Sequence, residues 1–470
     1  MIPLSSQHFD VAVVGGGPAG YASALYGASA GLSIALVEHN KIGGTCLNVG
    51  CIPAKELLET AAVKRTVEHA GDFGIETSLA SVDLGKSQER KNQVIGQLFK
   101  GLSGVLAQRK VEVFDGVGRL GPDRTVTVSG GESGEVTLTG ERVCIATGSL
   151  PRTIPGFEVD GKLVMTSDEV LDLDHVPTRS VVIGGGAIGC EFASMLSDLG
   201  SEVTILEAMD KILPGCDADV TKTVLRSFKK RKITVETGVK VEGHSPSGDS
   251  TTVSYGDGKT LETDLVVVSV GRRPLSDEVL LDGTSVGIDD RGFVEIDERL
   301  RTREPGVYAL GDVVATPQLA HVGFAEGIFV VKDLLGEEPL PIDYGRVPWA
   351  IYCHPEVAFA GHSEESAIAA GFDVVTSSHR FMGNGRALIV GQSEGLVKVI
   401  AEKKPDGNGG RILGVHMVGP WVTEQLGQGY LAVNWEATVE EVAEFIQPHP
   451  SLSELFGETV MSLTGRSLHV

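Results

Sequence analysis

The chain has 470 residues, 41% of them hydrophobic and 22% charged, more than one hydrophobic core usually serves, which predicts two to four domains of a soluble globular protein. Its 63 acidic residues against 40 basic ones give a formal net charge of −23, so simple Coulomb repulsion argues against nucleic acid and anionic membranes, and any macromolecular partner is expected to be basic. No apolar run is long enough to span a bilayer, and the opening MIPLSSQHFD lacks the basic and apolar regions of an export signal, so the expected compartment is the cytoplasm.

FDVAVVGGGPAGYASALYGASAGLSIALVEH reads as a buried strand, a glycine turn, a helix of small residues and a second strand ending in Glu38. Gly15, Gly17 and Gly20 allow a tight turn, close approach of a pyrophosphate, and close packing of helix on strand. Glu38 stands where an acid accepts from a ribose diol. Glycine turns also serve packing alone, but here strand, helix, strand and acid are in register.

GGTCLNVGCIPAK next places Cys46 and Cys51 five positions apart at the head of a predicted helix, AKELLETAAVKR. A thiolate near a helix N-terminus is stabilised by the partial positive charge there, so such a pair can open and close as a redox disulfide. Two thiols without a second Cys or His pair make a poor zinc site, and no metal is expected. A structural disulfide is disfavoured in a reducing compartment. Cys144, Cys190, Cys216 and Cys353 are scattered and read as packed thiols, with Cys190 at a helix start the candidate for reactivity.

The stretch 61–108 reads as helical, with charges at helical spacing, and 110–142 as short strands with Gly, Ser and Thr turns. Glycine and proline in VCIATGSLPRTIPG mark a crossover and a boundary near residue 150. From Ser180, SVVIGGGAIGCEFASMLSDLGSEVTILEAMD repeats the first module with Gly184, Gly186, Gly189 and Glu207. An acid at 207 accepts from a ribose 2′-hydroxyl and repels a 2′-phosphate, which predicts NAD rather than NADP. Two dinucleotide sites in one chain suggest a flavin in one and a nicotinamide in the other, so that a hydride can pass between them.

LVVVSVGRRP ends the second module near residue 275, and VYALGDVV is another apolar strand running into Gly-Asp. From Val347 come the strands LVKVIAEK and RILGVHMVG, joined by a predicted hairpin turn in KKPDGNGG, and then the predicted helices TEQLGQGYLAVNWEA and TVEEVAEFI. This is a separate C-terminal α+β domain. In HPSLSE, His449 precedes Glu454 by five residues. A carboxylate fixes a histidine's tautomer and stabilises its protonated form, so the pair could act as a general base, although a lone His and Glu are more often surface residues.

Over essentially its whole length the chain resembles the class I pyridine nucleotide disulfide oxidoreductases. HPSLSE is similar to the HPTLSE signature of their dihydrolipoamide dehydrogenase members. ATG at 146–148, the ALGDVV segment with Asp312, and LAH at 319–321 are similar to the family's flavin-binding stretches, and FMGNGRAL and HMVGP to its interface-domain motifs. The resemblance implies an α/β fold with two Rossmann-like dinucleotide-binding domains, for FAD and NAD, and a C-terminal α+β dimerisation domain. The implied division is 1–150 for the first part of the FAD domain, 151–275 for the NAD domain, 276–346 for the second part of the FAD domain, and 347–470 for dimerisation.

The resemblance further implies one non-covalent FAD per subunit on Gly15, Gly17, Gly20, Glu38, Lys55, Gly118, Thr147, Gly148, Ser149, Asp312, Leu319, Ala320 and His321. Asp312 would hold the ribityl chain, Gly118 approach the adenine, and Lys55 sit beside the flavin ring, paired with Glu191. NAD would lie on Gly184, Gly186, Gly189, Glu207, Val241 and Gly271. Cys46 and Cys51 would form the redox disulfide of a homodimer, with His449, oriented by Glu454, reaching the partner subunit's disulfide.

The implied reaction is oxidation of protein-bound dihydrolipoamide with NAD+. The implied partner is a lipoyl-bearing acyltransferase or carrier protein of a 2-oxo acid dehydrogenase or glycine cleavage complex. Gln447 departs from the histidine many members carry there; the base is expected to survive with different local tuning. A reductase of another small disulfide is the alternative, glutathione-type members fitting less well because of Glu207. A non-catalytic flavin-binding subunit is opposed by the retention of Cys46, Cys51, His449 and Glu454.

Overall fold

The computed structural model describes residues 7–131 and 134–469; the first six residues of the N-terminal stretch lie outside the described residues. The chain forms two units, each assembled from three segments. The first is Met1–Leu57, Asp83–Arg152 and Gly271–Tyr344, and the second is Leu58–Val82, Thr153–Val270 and Gly345–Val470.

The first unit is built on a seven-stranded sheet. Its path runs Glu112–Asp115, Ile34–Glu38, Gln7–Val14, Val136–Ile145, Thr125–Ser129, Val117–Leu120, and Val307–Ala309 also pairs with Val136–Ile145. Gln7–Val14 pairs in parallel with neighbours on both sides, and Val11 to Val14 are buried. That is why the run is continuously apolar rather than alternating. The helix Pro18–Ser29 starts with proline in its first turn, where no N–H is needed. It lies against the helix Ala320–Leu334 at backbone distance: a Cβ on Gly327 would stand 2.7 Å from the Ala19 carbonyl oxygen. A short ribbon of Ser149–Pro151 with Arg272–Pro274 completes the unit.

The second unit holds three sheets. A parallel one runs Thr234–Thr237, Glu202–Glu207, Arg179–Ile183, Leu265–Val268, Val164–Thr166; a three-stranded antiparallel one covers 241–263; and a five-stranded antiparallel one covers 349–419. KKPDGNGG is the hairpin turn of this last sheet, between Leu396–Lys403 and Gly409–Gly419. The helix Val422–Asn434 and the C-terminal helix Glu454–Ser462 bury Val422, Leu426, Leu455, Phe456 and Val460 in the same core.

Two helical expectations are corrected. The stretch 61–108 is not one helix: Cys51–Glu68 and Leu84–Gln108 are separated by a 3-10 turn, Ala70–Phe73, and a non-helical segment. Gly74 at φ +76 ends the turn, and the Asp83 side chain caps the next helix by accepting from the Lys86 N–H. TVEEVAEFI is helical only over Val439–Ala443, opened by a reciprocal capping box of Thr438 and Glu441.

Candidate functional site

The first glycine turn is dictated by backbone crowding. Gly15 has φ +109, and a Cβ there would lie 2.2 Å from the Ala146 carbonyl oxygen; a Cβ on Gly20 would lie 1.8 Å from that of Gly15. Only glycine fits either position. Glu38 grips the turn itself: Oε2 accepts the Gly16 N–H at 2.7 Å, and Oε1 accepts the Asn40 N–H at 2.8 Å.

The second turn repeats this nearly atom for atom. Gly184 has φ +108, a Cβ on Gly189 would lie 2.0 Å from the Gly184 carbonyl oxygen, and Glu207 accepts the N–H groups of Gly185 and Met209, both at 2.6 Å. An ionised carboxylate offers about four lone-pair sites, so each acid retains capacity for a ribose diol after holding its own turn. In both modules a helix N-terminus with unsatisfied N–H groups opens directly from the turn, at Gly17 and Gly186, which suits a pyrophosphate. Val241 begins the strand Val241–Ser247 of this second unit, whereas Gly271 belongs to the first.

The cysteine segment is fastened to the first turn. The Gly43 N–H donates to the Gly16 carbonyl at 2.8 Å, and a Cβ on Gly44 would lie 2.6 Å from Gly17 Cα. Cys46 lies in the short helix Gly44–Asn48, and Cys51 is the first residue of Cys51–Glu68. A negative charge on Cys51 is therefore stabilised by the positive end of an 18-residue helix. The two cysteines stand as thiols. Cys46 is held far above the ordinary thiol range, first by its hydrogen bond with Cys51, then by burial and the charge of Cys51, while the Lys55 ammonium acts in the opposite direction.

Asp312, in the 3-10 turn Gly311–Val313, is a half-buried carboxylate whose pKa is raised by burial, against the lowering effects of Ser149 and Arg272. Thr147 Oγ1 donates to the Leu275 carbonyl at 2.6 Å, and Gly148 has φ +77. Gly118 faces Val14 and Val37, where a Cβ would stand 2.9 Å from Val14 Cγ1. Leu319 caps the helix on which Ala320 and His321 form the first turn. Glu326, fully buried on that helix, accepts the Gly311 N–H at 2.6 Å and the Tyr344 hydroxyl at 2.8 Å. Nothing local in the sequence singles it out.

In the second unit His449 Nδ1 lies 2.7 Å from Glu454 Oε1, and Glu454 Oε2 accepts the Ser451 N–H at 2.7 Å. An ionised carboxylate can only accept, so Nδ1 carries a proton, and in the neutral imidazole the lone pair is on Nε2. The imidazole is 78% exposed. Asn384, buried within the FMGNGRAL motif, steadies this turn by donating to the Ser451 carbonyl at 2.9 Å. Gln447 Nε2 donates to Gln428 at 3.1 Å, and its side chain covers Gly457. Glu191 is buried and accepts the Tyr352 N–H at 2.9 Å. Trp421, at φ +49, precedes the helix Val422–Asn434; nothing in the structure gives it a functional role.

The remaining cysteines are packed thiols. Cys144, Cys190, Cys216 and Cys353 are buried, and burial raises all four pKa values, to about 12 for Cys144 and Cys216. Cys190 donates to the Gly185 carbonyl and is not the reactive thiol its place at a helix start allowed. Among the described residues no cluster of three or more His, Cys, Asp or Glu could hold a metal ion, and no helix is long and apolar enough to cross a membrane.

A family model described as pyridine nucleotide-disulphide oxidoreductase matches residues 9–327, and the corresponding dimerisation domain matches 347–460. The chain is 40% identical to a dihydrolipoyl dehydrogenase of Bacillus subtilis, over 99% of this chain and 100% of the relative. It is 37% identical to a dihydrolipoyl dehydrogenase of Cupriavidus necator over the same shares. Among solved structures it is similar to that of LpdA from Mycobacterium tuberculosis, with a TM-score of 0.90 at 25% identity, covering 97% of this chain and 99% of the other.

Proposed function

Because the chain belongs to the pyridine nucleotide-disulphide oxidoreductases, we propose that it is a dihydrolipoamide dehydrogenase, oxidising protein-bound dihydrolipoamide to lipoamide and reducing NAD+ to NADH. The observation that carries this reading is the attachment of the Cys46–Cys51 segment to the first glycine turn through Gly43 and Gly44, which supports a redox dithiol working beside a dinucleotide site.

FAD and NAD are the cofactors, and the two turns fit them. Each closes on glycines that leave no space for a Cβ, opens a helix N-terminus toward a pyrophosphate, and ends in an acid suited to an unphosphorylated ribose. FAD is held by the first turn with Glu38, Gly118, residues 147–149, Asp312, residues 319–321 and Lys55. NAD is held by the second turn with Glu207 and Val241. Bound FAD supplies the two-electron relay between a dithiol and a nicotinamide.

The protein's own groups handle protons and sulfur. His449, its Nδ1–H engaged by Glu454, takes a thiol proton from dihydrolipoamide at Nε2. The substrate sulfur bonds to Cys46 as the Cys46–Cys51 bond breaks, and Cys51 leaves as a thiolate stabilised at its helix N-terminus. The second substrate thiol then passes its proton to the departing Cys46 sulfur as it displaces Cys46, closing the lipoamide ring and leaving Cys46 as a thiol, Cys51 as a thiolate and one proton on His449. Lys55 favours negative charge beside it.

The match to the dimerisation domain over 347–460 supports a homodimer, in which His449 serves the partner subunit's disulfide. The working division is 1–150 and 276–346 for FAD, 151–275 for NAD and 347–470 for dimerisation. The compartment is the cytoplasm, and the partner is a lipoyl-bearing acyltransferase or carrier protein of a 2-oxo acid dehydrogenase or glycine cleavage complex. The test is NAD+ reduction by the purified protein with free dihydrolipoamide, beside NADP+ and beside oxidised glutathione with each reduced nucleotide. Robust NADH formation is expected. Turnover of glutathione disulfide with silence toward dihydrolipoamide would overturn the substrate.

A further inference from the structure

Ser149 and Asp312 are joined by a short hydrogen bond: the Ser149 hydroxyl donates to Asp312 Oδ2 at 2.6 Å. Behind it, Arg272 Nε donates to Ser149 Oγ at 2.7 Å, and Nη2 donates to the Ser149 carbonyl, also at 2.7 Å. The polarity of this chain has no alternative. A guanidinium only donates and an ionised carboxylate only accepts, so the one hydroxyl proton of Ser149 must point to Asp312. Arg272 thus grips the backbone and the side chain of Ser149 together, with its Nε 3.8 Å from Asp312 Oδ2.

The antiparallel ribbon of Ser149–Pro151 with Arg272–Pro274 brings the partners together, and Glu326 holds the preceding main chain at Gly311. Among the described residues Asp312 Oδ1 has no donor, which leaves that oxygen for a ligand hydroxyl. Burial acts against the ionised carboxylate, and Ser149 and Arg272 act for it.

We propose that Arg272, acting through Ser149, is the positioning residue that fixes Asp312 to receive the ribityl chain of FAD. This rests on the reading of Asp312 as a flavin ligand. Without Arg272 the hydroxyl oxygen and the carbonyl of Ser149 lose the guanidinium that grips them together, so the serine is no longer fixed against the carboxylate, and Asp312 loses the cation 3.8 Å away.

The experiment measures FAD affinity of the apoprotein, by flavin fluorescence on reconstitution, for the wild type, Asp312→Asn, Ser149→Ala, Arg272→Met and Arg272→Lys, with melting of each apoprotein as a folding control. Arg272→Met and Ser149→Ala are expected to weaken FAD binding roughly tenfold or more, the scale of one charge-assisted hydrogen bond. Arg272→Lys recovers part of the loss, and the combination of Arg272→Met with Asp312→Asn costs no more than Asp312→Asn alone. Should Arg272→Met fail to fold, Arg272→Gln decides on the same readout. Weak binding in Asp312→Asn with full affinity in Arg272→Met and Ser149→Ala would overturn the relay and leave Asp312 as a ligand. Full affinity in Asp312→Asn would overturn that reading of the site and the relay with it.

Discussion

Glu207→Gln removes one charge from the second turn while keeping the side chain's shape. Both carboxylate oxygens accept backbone N–H groups at 2.6 Å, from Gly185 and from Met209. An amide must therefore set its NH2 against one of those N–H groups, whichever way it turns. One charge-assisted hydrogen bond is lost and one N–H is left unpaired, about 1.5–3 kcal/mol. Because Gly185 lies inside the turn, that loss reaches the nucleotide, and NAD affinity should fall roughly tenfold or more. The effect on NADP has the opposite sign. Two unit charges 4 Å apart repel by about 1 kcal/mol in bulk water and about 4 kcal/mol at an effective dielectric of 20, and glutamine abolishes that repulsion toward a 2′-phosphate. The assay is kcat/KM for NAD+ and NADP+ with dihydrolipoamide, with Glu38→Gln alongside. Glu38 makes the same two bonds in the first turn, at 2.7 and 2.8 Å, so its variant should bind flavin more weakly and, assayed with excess FAD, leave the NAD-to-NADP ratio unchanged. An unchanged ratio in Glu207→Gln would refute the electrostatic account of cofactor choice, and a shifted ratio in Glu38→Gln would refute the assignment of the turns.

His449→Gln should slow dihydrolipoamide oxidation about 100- to 10,000-fold with flavin content and melting temperature unchanged; retention of activity would remove His449 from the chemistry. Gly20→Ala should yield protein without flavin, because the new Cβ meets the Gly15 carbonyl at 1.8 Å, whereas Gly189→Ala, at 2.0 Å from the Gly184 carbonyl, should retain flavin and lose its response to NAD. His416 is fully buried, and burial holds its pKa at about 4 against the ordinary 6.5. Its folded value lies below the unfolded one, so stability that is complete above about pH 6.5 is lost as the pH falls toward 4, by at most about 3 kcal/mol for this residue. Melting curves between pH 7 and 4.5 check this: His416→Gln, which keeps an acceptor for the Asp217 N–H and does not titrate, should flatten the slope, and identical slopes would discard it. Lys398→Met should destabilise the fold by about 3–5 kcal/mol in thermal unfolding, since the buried ammonium lies 3.0 Å from Asp217, which is 2% exposed, and 2.8 Å from Asp219; a change under about 1 kcal/mol would mean the cluster contributes as little as surface pairs do.

What could be read from the chain alone was local. Both glycine turns were legible because a backbone that passes within contact of its own carbonyl five residues away excludes every side chain, and that demand is written into consecutive positions. Cys46 with Cys51 and His449 with Glu454 were legible for the same reason, each pair lying five residues apart. The gap between the helices Cys51–Glu68 and Leu84–Gln108 was hidden, because charges continue at helical spacing through the region and the stop depends on Gly74 and Asp83. Only the tertiary structure decided how Asp312 is held: Ser149 lies 163 residues from it and Arg272 another 123 from Ser149. It also decided that Asn384 steadies the His449 turn, that Lys398 meets its carboxylates, and that Cys190 is inert. Hydrogen bonds and burial at such separations follow from the packing of sheets and ribbons, and composition, periodicity and spacing carry no record of them.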